Sequence, residues 1–461
     1  MTRRTHVAID IGASSGRHVL GWLEDGKLCL REMYRFENGA DMRDGMLVWD
    51  HARLEREIVA GLKACRDAGE TPETVAIDTW GVDYALLDES GALQGDTIAY
   101  RDKRTRATEN TLDDAALYRV TGIQHQSFNT IYQLLSDQAV RPDALSRAQR
   151  LLFMPDYLSY CLTGRMENEY TIASTSGLLD ARTRDWAWDM IDALGLPRRL
   201  FGALRQPGFS LGKVKPEIAA AIGFAPEVRF APAHDTASAV LGAPLRAGDA
   251  FLSSGTWSLL GVEIDRPLLT EESRLSGLTN EGGVEGTYRL LKNIMGLWIV
   301  QCLRREIPGK PSFAQMADMA RENAAFSGRI DVDAPEFLAP ESMKSAILQH
   351  LRAHGQPLPQ NDGELLACVH HSLAECYART LRALERMLRT TFRRLCIVGG
   401  GSQNTFLNEL TAKACGLPIS AGPTEGTALG NLLSQMLASG EISDTGAARG
   451  LIRASFDLLE I

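Results

Sequence analysis

Alternating apolar segments and turn residues at the start of the chain predict a β-meander. Three apolar segments, 7–11, 17–23 and 27–36, are separated by Gly-Ala-Ser-Ser-Gly and by Glu-Asp-Gly, which are turn-forming sequences. Apolar residues at helical spacing follow in 50–65, and 74–77 then predicts a short buried strand. Because strands and helices continue to alternate, the chain is expected to be an α/β protein.

A second α/β half begins near residue 241 and repeats the design of the first. Residues 250–263 read as an apolar strand, Ser-Ser-Gly and a second apolar strand, much as GASSGR lies between the strands of the first hairpin. The match is only a few residues long, so duplication and coincidence both remain open. We therefore predict two domains, 1–240 and 241–461, a number that agrees with the usual size of about 100 to 200 residues per domain.

The last third of the chain predicts a core helix and a glycine turn. Apolar residues spaced three and four residues apart from Leu365 to Leu388 form a stripe on one helix face, which indicates core packing. A strand at 395–398, a glycine turn at 399–404 and a helix at 406–415 come next, and such a turn can direct backbone N–H groups at an anion. Residues 305–345 show no clear hydrophobic periodicity and are expected to form a surface excursion.

Composition excludes several classes of protein. The 461 residues are 44% hydrophobic and 23% charged, which is typical of globular proteins, and no run of about 18 apolar residues predicts a membrane span. A net charge of −9 disfavours nucleic acid or an anionic membrane as partner. The eight cysteines have no C-x-x-C spacing and are expected to be reduced, mostly buried thiols. No apolar signal segment precedes the first strand, so a cytoplasmic location is expected.

The first hairpin has residues that suit phosphate binding. Gly12 and Gly16 would let the backbone approach a phosphate, and Ser14 and Ser15 offer hydroxyls, although an ordinary tight turn uses the same residue types. Gly-x-Ser-x-Gly also fits the nucleophile elbow of serine hydrolases, but that elbow needs a helix after the turn, where this chain predicts a strand. Because a P-loop motif and a dinucleotide fingerprint are absent, phosphates would have to be held by the hairpins and the glycine turn.

Asp235 is the candidate general base. It stands in Ala-His-Asp-Thr-Ala-Ser, shortly before the second hairpin. Phosphoryl transfer to a hydroxyl needs a positioned acceptor for the hydroxyl proton, and such bases contribute about 10²- to 10⁴-fold to the rate. Asp is also a favoured N-cap, so Asp235 could cap a helix that begins at Thr236. The residues alone leave both roles open.

The segment from Asp78 to Asp83 is a candidate sugar-binding edge. It combines an aromatic face at Trp80, a glycine that permits close approach and two carboxylates. A strand end with a packed tryptophan would explain the same residues. The polar segment 100–105 could likewise reach a sugar, but a solvated charged turn is the more usual explanation.

Ten segments together resemble the FGGY carbohydrate kinases: AIDIGASSGR, IDTWGVD, YRDKRT, MPDYLSYCLTG, HDTASAV, LSSGTWSLLG, TNEGG, LKNIMGLW, IVGGGSQN and AGPTEGTALGN. The resemblance covers nearly the whole chain, although the phosphate hairpins alone recur across the actin, hexokinase and heat-shock ATPase fold. It implies an α/β protein of two ribonuclease-H-like domains that flank a cleft for ATP and sugar, whose closure excludes water.

The resemblance also implies roles for particular residues. ATP would be held by Ala13, Ser14, Ser15, Gly16, Arg17, Thr256, Gln301 and Gly400. The sugar would be met by Gly81, His234, Asp235, Thr236 and Asn293, with Asp235 as the proton acceptor. Asp10 is similar to the family carboxylate near Mg²⁺, which would often act through water because magnesium dehydrates reluctantly.

The combination of IDTWGVD with HDTASAV and SSGTWS resembles the members of the family that act on L-rhamnulose. This implies ATP-dependent transfer of a phosphoryl group to its C1 hydroxyl in L-rhamnose catabolism, by a monomer or homodimer. Family members that act on L-fuculose, L-xylulose or L-ribulose share the machinery and remain alternatives, because loops set the stereochemical choice. A non-catalytic ATP-binding protein of the actin or chaperone type is a more remote alternative.

Overall fold

The first sheet is built around a hairpin whose turn is closed by its own backbone. In the computed structural model, which describes residues 3–461, β1 (His6–Ile11) pairs antiparallel with β2 (Ser15–Glu24), and the N–H of Gly12 donates to the carbonyl of Ser15 at 2.9 Å. The strand β2 pairs in turn with β3 (Lys27–Glu37), which confirms the predicted meander. Because β2 is a strand and not a helix, the hydrolase elbow is excluded.

The other strands, in chain order, are β4 (Ala40–Arg43), β5 (Met46–Trp49), β6 (Thr74–Thr79), β7 (Tyr84–Leu87), β8 (Thr97–Ile98), β9 (Arg150–Phe153), β10 (Asn168–Glu169), β11 (Leu179–Asp180), β12 (Asp185–Trp186), β13 (Leu204–Arg205), β14 (Ser210–Lys213), β15 (Glu227–Arg229), β16 (Asp249–Ser254), β17 (Ser258–Ile264), β18 (Leu278–Gly282), β19 (Tyr288–Ile294), β20 (Arg394–Val398), β21 (Ile419–Ala421) and β22 (Leu459–Glu460).

The helices are α1 (His51–Asp67), α2 (Asp114–Thr121), α3 (Thr130–Val140), α4 (Pro142–Arg147), α5 (Met154–Thr163), α6 (Tyr170–Ala173), α7 (Trp188–Ala193), α8 (Pro216–Ile222), α9 (Asp235–Leu241), α10 (Glu271–Leu275), α11 (Trp298–Glu306), α12 (Phe313–Glu322), α13 (Met343–Ala353), α14 (Asp362–Leu388), α15 (Thr405–Cys415), α16 (Gly426–Ala438) and α17 (Thr445–Ser455). The predicted helices at 50–65, 365–388 and 406–415 correspond to α1, α14 and α15, and are therefore confirmed.

The chain divides into two compact units, each assembled from separated segments. The first unit consists of residues 1–242, 263–290 and 427–455, and the second of 243–262, 291–426 and 456–461. The first unit contains a sheet with the strand order β14-β15-β6-β1-β2-β3, in which β1 and β6 are parallel and Asp10 lies opposite Asp78. Its central strands are buried along their whole length, as expected for strands covered on both faces.

The second unit repeats the strand pairing of the first. Its hairpin of β16 and β17 is antiparallel, β16 is parallel to β20, and β20 is parallel to β21. The first unit has the same relation between β1, β2, β6 and β15. This shared pattern favours duplication over coincidence as the explanation of the two Ser-Ser-Gly hairpins.

The expectation of a surface excursion at 305–345 is correct only in part, because most of these residues are exposed or half-buried but a buried face packs into the second unit. The region contains α12, a short 3₁₀ turn and the start of α13, and Met316, Ala320 and Phe337 are buried. The sequence carries a signal for α12, because Ser312 and Gln315 form a capping box that begins the helix. The segment is therefore part of the packing of the second unit.

Within residues 3–461, no helix is both long enough and apolar enough to cross a membrane. The cysteines are all free thiols, and burial is the main cause that raises the pKa of Cys65 to about 11 and those of Cys368 and Cys396 to about 12. Cys65, Cys368 and Cys396 are therefore protonated, weakly reactive thiols at neutral pH, and the free, mostly buried state of the eight cysteines agrees with the sequence prediction.

Candidate active site

Asp235 is the first residue of α9, and its carboxylate is held by the start of that helix. The residue at the N-cap position is His234 rather than Asp235. Oδ1 of Asp235 accepts hydrogen bonds from the N–H of Thr236 at 2.6 Å and from its hydroxyl at 3.2 Å. A third of the side chain is exposed, so a ligand hydroxyl can reach the carboxylate without unfolding the helix.

The surroundings of Asp235 suit a group that must take up a proton. Burial among protein groups raises the pKa of Asp235, and the negative charge of Asp10 raises it further, while His234 and the bonds from Thr236 oppose the shift. A carboxylate whose pKa is shifted towards neutrality is a better general base than an ordinary one. Strongly perturbed acids in reachable positions are also more frequent at functional sites.

Two further carboxylates lie at the carboxyl ends of β1 and β6. The guanidinium of Arg17 donates to Oδ2 of Asp10 from Nε at 3.0 Å and from Nη2 at 2.7 Å. Asp78 is fully buried and accepts from Nδ2 of Asn431 at 2.6 Å. Burial, together with the charge of Asp10, raises the pKa of Asp78 well above its ordinary value. Ligands of α/β sheets usually bind at this end of the strands.

Gly81 lies against His234. A Cβ at Gly81 would lie 3.4 Å from Nε2 of His234 and 3.3 Å from the hydroxyl of Thr175, so a larger residue would crowd the imidazole. The structure therefore brings together Gly81, His234, Asp235 and Thr236, four of the residues predicted to meet the sugar.

The aromatic part of the predicted sugar edge is core instead. The Trp80 ring is buried and packs on Trp49 with 4.1 Å between ring centroids. Both indole N–H groups donate to Oδ2 of Asp83, at 2.9 and 2.7 Å, and this carboxylate also accepts from the N–H of Tyr100 and from Gln133. Asp83 thus holds the two tryptophans in place at the end of β6, and the packed-tryptophan explanation is correct for this part of the motif.

The turn from Ala13 to Arg17 is an open hairpin tip. Asn38 secures it, since its N–H donates to the carbonyl of Ser14 at 3.0 Å and its side chain donates to the carbonyl of Gly12 at 2.8 Å. Gly16 is buried, and a Cβ there would collide with the ring of Phe36. Packing alone therefore requires the second glycine, whereas Ser14 is exposed and free of that constraint.

In the second unit, the hairpin tip, the start of α11 and the glycine turn are in contact. The hydroxyl of Thr256 lies 3.3 Å from Nε2 of Gln301, and the carbonyl of Thr256 accepts from the N–H of Trp298 at 3.0 Å. A Cβ at Gly401 would collide with the side chain of Ser254, while one at Gly400 would meet open space. The predicted ATP residues Thr256, Gln301 and Gly400 are thus neighbouring features of one unit.

Asn293 also belongs to the second unit. It is half-buried on β19, and the preceding Lys292 pairs with Asp333 at 2.7 Å. The residues predicted for ATP and for the sugar are therefore distributed over both units, with the Ala13 to Arg17 turn in the first.

Sequence reasoning missed three residues that touch this site. Asn431 holds Asp78, while Glu281 and Arg289 contact His234. Glu281 stands in the wholly buried strand β18, within a motif quoted only for its family resemblance. A charged residue in an otherwise uncharged strand is a signal that could have identified it, because charges are rarely buried without a partner.

The chain matches the FGGY family of carbohydrate kinases with both of its parts: the N-terminal domain over residues 5–242 and the C-terminal domain over residues 250–439. The chain therefore belongs to the FGGY family, whose members are sugar phosphotransferases that use ATP as the phosphate donor.

Its relatives include several rhamnulokinases. The rhamnulokinase of Bacillus subtilis is 41% identical over 459 residues, which cover 98% of this chain and 94% of the relative. The rhamnulokinase of Pectobacterium carotovorum is 43% identical over 467 residues, which cover 99% of this chain and 93% of the relative.

Solved structures show the same fold. A gluconate kinase from Lactobacillus acidophilus superposes with a TM-score of 0.81 at 15% identity, covering 100% of this chain and 93% of that protein. The structure of Plasmodium falciparum glycerol kinase with ADP superposes with a TM-score of 0.76 at 14% identity, covering 99% of this chain and 94% of that protein. The predicted α/β fold of two ribonuclease-H-like domains is thus confirmed as the two-domain FGGY kinase fold.

Proposed function

We propose that this chain transfers the terminal phosphoryl group of ATP to the C1 hydroxyl of L-rhamnulose, forming L-rhamnulose 1-phosphate in L-rhamnose catabolism. The observation that carries the proposal is that rhamnulokinases 41% and 43% identical cover nearly the whole chain. The position of Asp235, reachable and fixed at the start of α9, supports the chemistry.

In the proposed reaction Asp235 accepts the proton of the C1 hydroxyl as its oxygen forms the bond to phosphorus. The bond between that phosphorus and the bridging oxygen of ADP breaks, and the proton stays on the carboxyl group until solvent removes it. All hydrogen bonds and ion contacts described above reach Oδ1 of Asp235, so Oδ2 is the oxygen we assign to the ketose hydroxyl. Gly81, His234, Thr236 and Asn293 would orient the sugar, which lowers the entropic cost of reaction.

The nucleotide would be held by the Ala13 to Arg17 turn, Thr256, Gln301 and Gly400. Within residues 3–461 no group of three or more Asp, Glu, His or Cys side chains is arranged to hold a metal ion, so we assign Mg²⁺ to Asp10 alone, whose carboxylate is a donor type that this ion prefers. Asp10 would hold the ion, through water where needed, and bound Mg²⁺ would neutralise charge on the phosphates. Arg17, which pairs with Asp10 at 2.7 Å, would contact the phosphates from the same hairpin.

We also propose a cytoplasmic monomer or homodimer with small-molecule partners, divided into domains at residues 240 and 241. The net charge of −9 supports the exclusion of nucleic acid and anionic membranes.

A coupled ADP-release assay over a panel of ketoses and polyols tests the proposal. We expect the highest kcat/KM with L-rhamnulose and little ATP use without sugar. A higher kcat/KM with L-fuculose, L-xylulose or L-ribulose would refute the substrate. ATP hydrolysis at a rate independent of added ketose would instead support an actin-like or chaperone-like ATPase.

A further inference from the structure

Arg289 carries a charge in the interior of the first unit. Its side chain is 1% exposed, and it is the largest of the fully buried side chains. Nε donates to the carbonyl of Gly282 at 2.9 Å, Nη1 lies 3.1 Å from Oε2 of Glu281, and Nη2 lies 3.3 Å from Nδ1 of His234. A buried guanidinium is costly, so each of these partners matters for keeping it there.

Glu281 balances that charge and also faces the histidine. Its side chain is 7% exposed, and Oε2 lies 3.3 Å from Nδ1 of His234. Burial raises the pKa of Glu281, but Arg289 and His234 lower it by more, so the pKa stays below its ordinary value. The carboxylate and the guanidinium are therefore both charged beside one edge of the imidazole.

The opposite edge of the ring faces Asp235. Nε2 of His234 lies 3.2 Å from Oδ1 of Asp235. When the ring is neutral, Nδ1 can accept from Arg289 only if the proton is on Nε2. When the ring is protonated, Nδ1–H faces the carboxylate of Glu281 at 3.3 Å as an ion pair, and Nε2 again carries a proton. In both states, Nε2–H points at the base.

We propose that Glu281 and Arg289 are positioning residues that fix the His234 ring with its protonated Nε2 on Oδ1 of Asp235, leaving Oδ2 for the sugar hydroxyl. This inference rests on the proposed function and names residues outside the predicted site. Stability alone is a poor explanation of the pair, because well-packed apolar residues in place of a buried ion pair are often equally or more stable.

A double-mutant cycle tests whether Glu281 acts through His234. We expect Glu281→Gln to lower kcat for the best ketose by at least about tenfold, since small errors in position are costly, and to leave KM for ATP unchanged. In a His234→Asn background the same change should have almost no further effect. For independent sites, the loss of kcat in the double variant equals the product of the losses in Glu281→Gln and His234→Asn. If the measured loss agrees with that product to within about twofold, the proposal is overturned.

Asp137→Asn is the matched control. Asp137 is a fully buried carboxylate of the same unit that pairs with Arg104 at 3.3 Å and Arg141 at 2.5 Å, neither of which is a proposed site residue. Its loss should lower the midpoint of thermal unfolding without a selective loss of kcat. A similar loss of kcat in Asp137→Asn and Glu281→Gln would overturn the positioning role.

The ring can also be read directly in the unaltered protein, which covers the case that Glu281→Gln fails to fold. Nitrogen-15 NMR of the histidine rings, with His234→Asn to assign the signal, should show a protonated Nε2 at every pH at which the protein is folded. A neutral ring with its proton on Nδ1 would overturn the proposal. Because this measurement needs no substrate, it is separate from the ketose assay, whose failure would refute only the proposed function.

Discussion

Three aspartates near the carboxyl ends of β1 and β6 differ because their neighbours differ. Asp10 is paired with Arg17, Asp78 is sealed in the core with Asn431, and Asp235 is exposed on one side. Burial raises the pKa of Asp78 well above its ordinary value and also keeps ligands from its carboxyl group, whereas Asp235 combines a raised pKa with access. These environments favour Asp235 over Asp10 and Asp78 as the proposed proton acceptor.

Replacing the proposed base should separate binding from turnover. We expect Asp235→Asn to bind ADP and ketose by calorimetry but to lose at least about 10²-fold in kcat, the usual contribution of a general base. Asp192→Asn, at an exposed Asp–Arg pair, is the control and should keep wild-type kcat. Turnover close to wild type in Asp235→Asn would remove this residue as the base.

Glu169 should make folding stability depend on pH. Oε2 accepts from Ile172 N–H, the Thr171 hydroxyl and Ala233 N–H, and burial raises the Glu169 pKa to about 7. The unfolded chain has the ordinary, lower pKa, so between the two values only the folded state binds the proton. The contribution of Glu169 to stability therefore rises as pH falls through about 7 towards 4.5.

Urea unfolding of Glu169→Gln at about pH 5 and pH 8 measures this effect. The quantity to compare is the free energy of unfolding of the variant minus that of wild type. This difference should be larger at pH 8 than at pH 5 by at most about 3 kcal/mol, since one pKa unit corresponds to about 1.4 kcal/mol. Glu217→Gln, an exposed position on α8, should show no such change. If the difference in free energy of unfolding between Glu169→Gln and wild type is the same at both pH values, the raised pKa of Glu169 is contradicted.

At the scale of elements, the contact between α9 and α16 depends on one glycine. A Cβ at Gly430 would collide with the carbonyl of Ser238 and lie 2.9 Å from the N of Gly242, so backbone would have to move. We expect Gly430→Ala to lower the free energy of unfolding by about 1 to 3 kcal/mol, the range for overpacking, and to lower kcat because α9 carries Asp235. Urea unfolding and the ADP-release assay measure both.

A second helical glycine provides the comparison. Gly450 lies inside α17, where a Cβ would meet only the end of Arg453 at 3.9 Å. Gly450→Ala should therefore stabilise the protein by roughly 0.5 to 1 kcal/mol through helix propensity. If both variants behave alike, close packing is not what makes Gly430 necessary.

The elements that sequence predicted well are those with local causes. The first hairpin follows from its turn residues, and α14 follows from its apolar stripe. The role of Trp80 was harder to predict, because Trp49, which packs on it and shares the carboxylate of Asp83, comes from the separate strand β5. The contact of Glu281 and Arg289 with His234 could not be predicted for the same reason, because a contact across about fifty residues leaves no mark in local spacing, although the charge in β18 was a signal for Glu281 itself.

At the scale of the molecule, the first unit is completed by the end of the chain. Helix α16 lies against the sheet, where Leu432 packs with Ala8 and Val19 in one buried cluster. Gln435 donates to the carbonyl of Val7 at 3.0 Å, and Asn431 donates to that of Ala76 at 3.2 Å. Residues more than four hundred positions apart thus share one core.

The dependence of the first unit on α16 can be tested with a fragment that ends near the proposed boundary at residues 240 and 241. A fragment of residues 1–242 lacks α16 and would expose the apolar surface of β1 and β2 together with the unpaired carboxyl group of Asp78. Since burying polar groups without partners and exposing apolar ones are both costly, we expect the fragment to show no cooperative transition in urea, while the full chain does. A cooperative transition and dispersed NMR signals from the fragment would show that residues 1–242 fold alone. That result would mean that α16 is bound by the sheet but is not needed to form it.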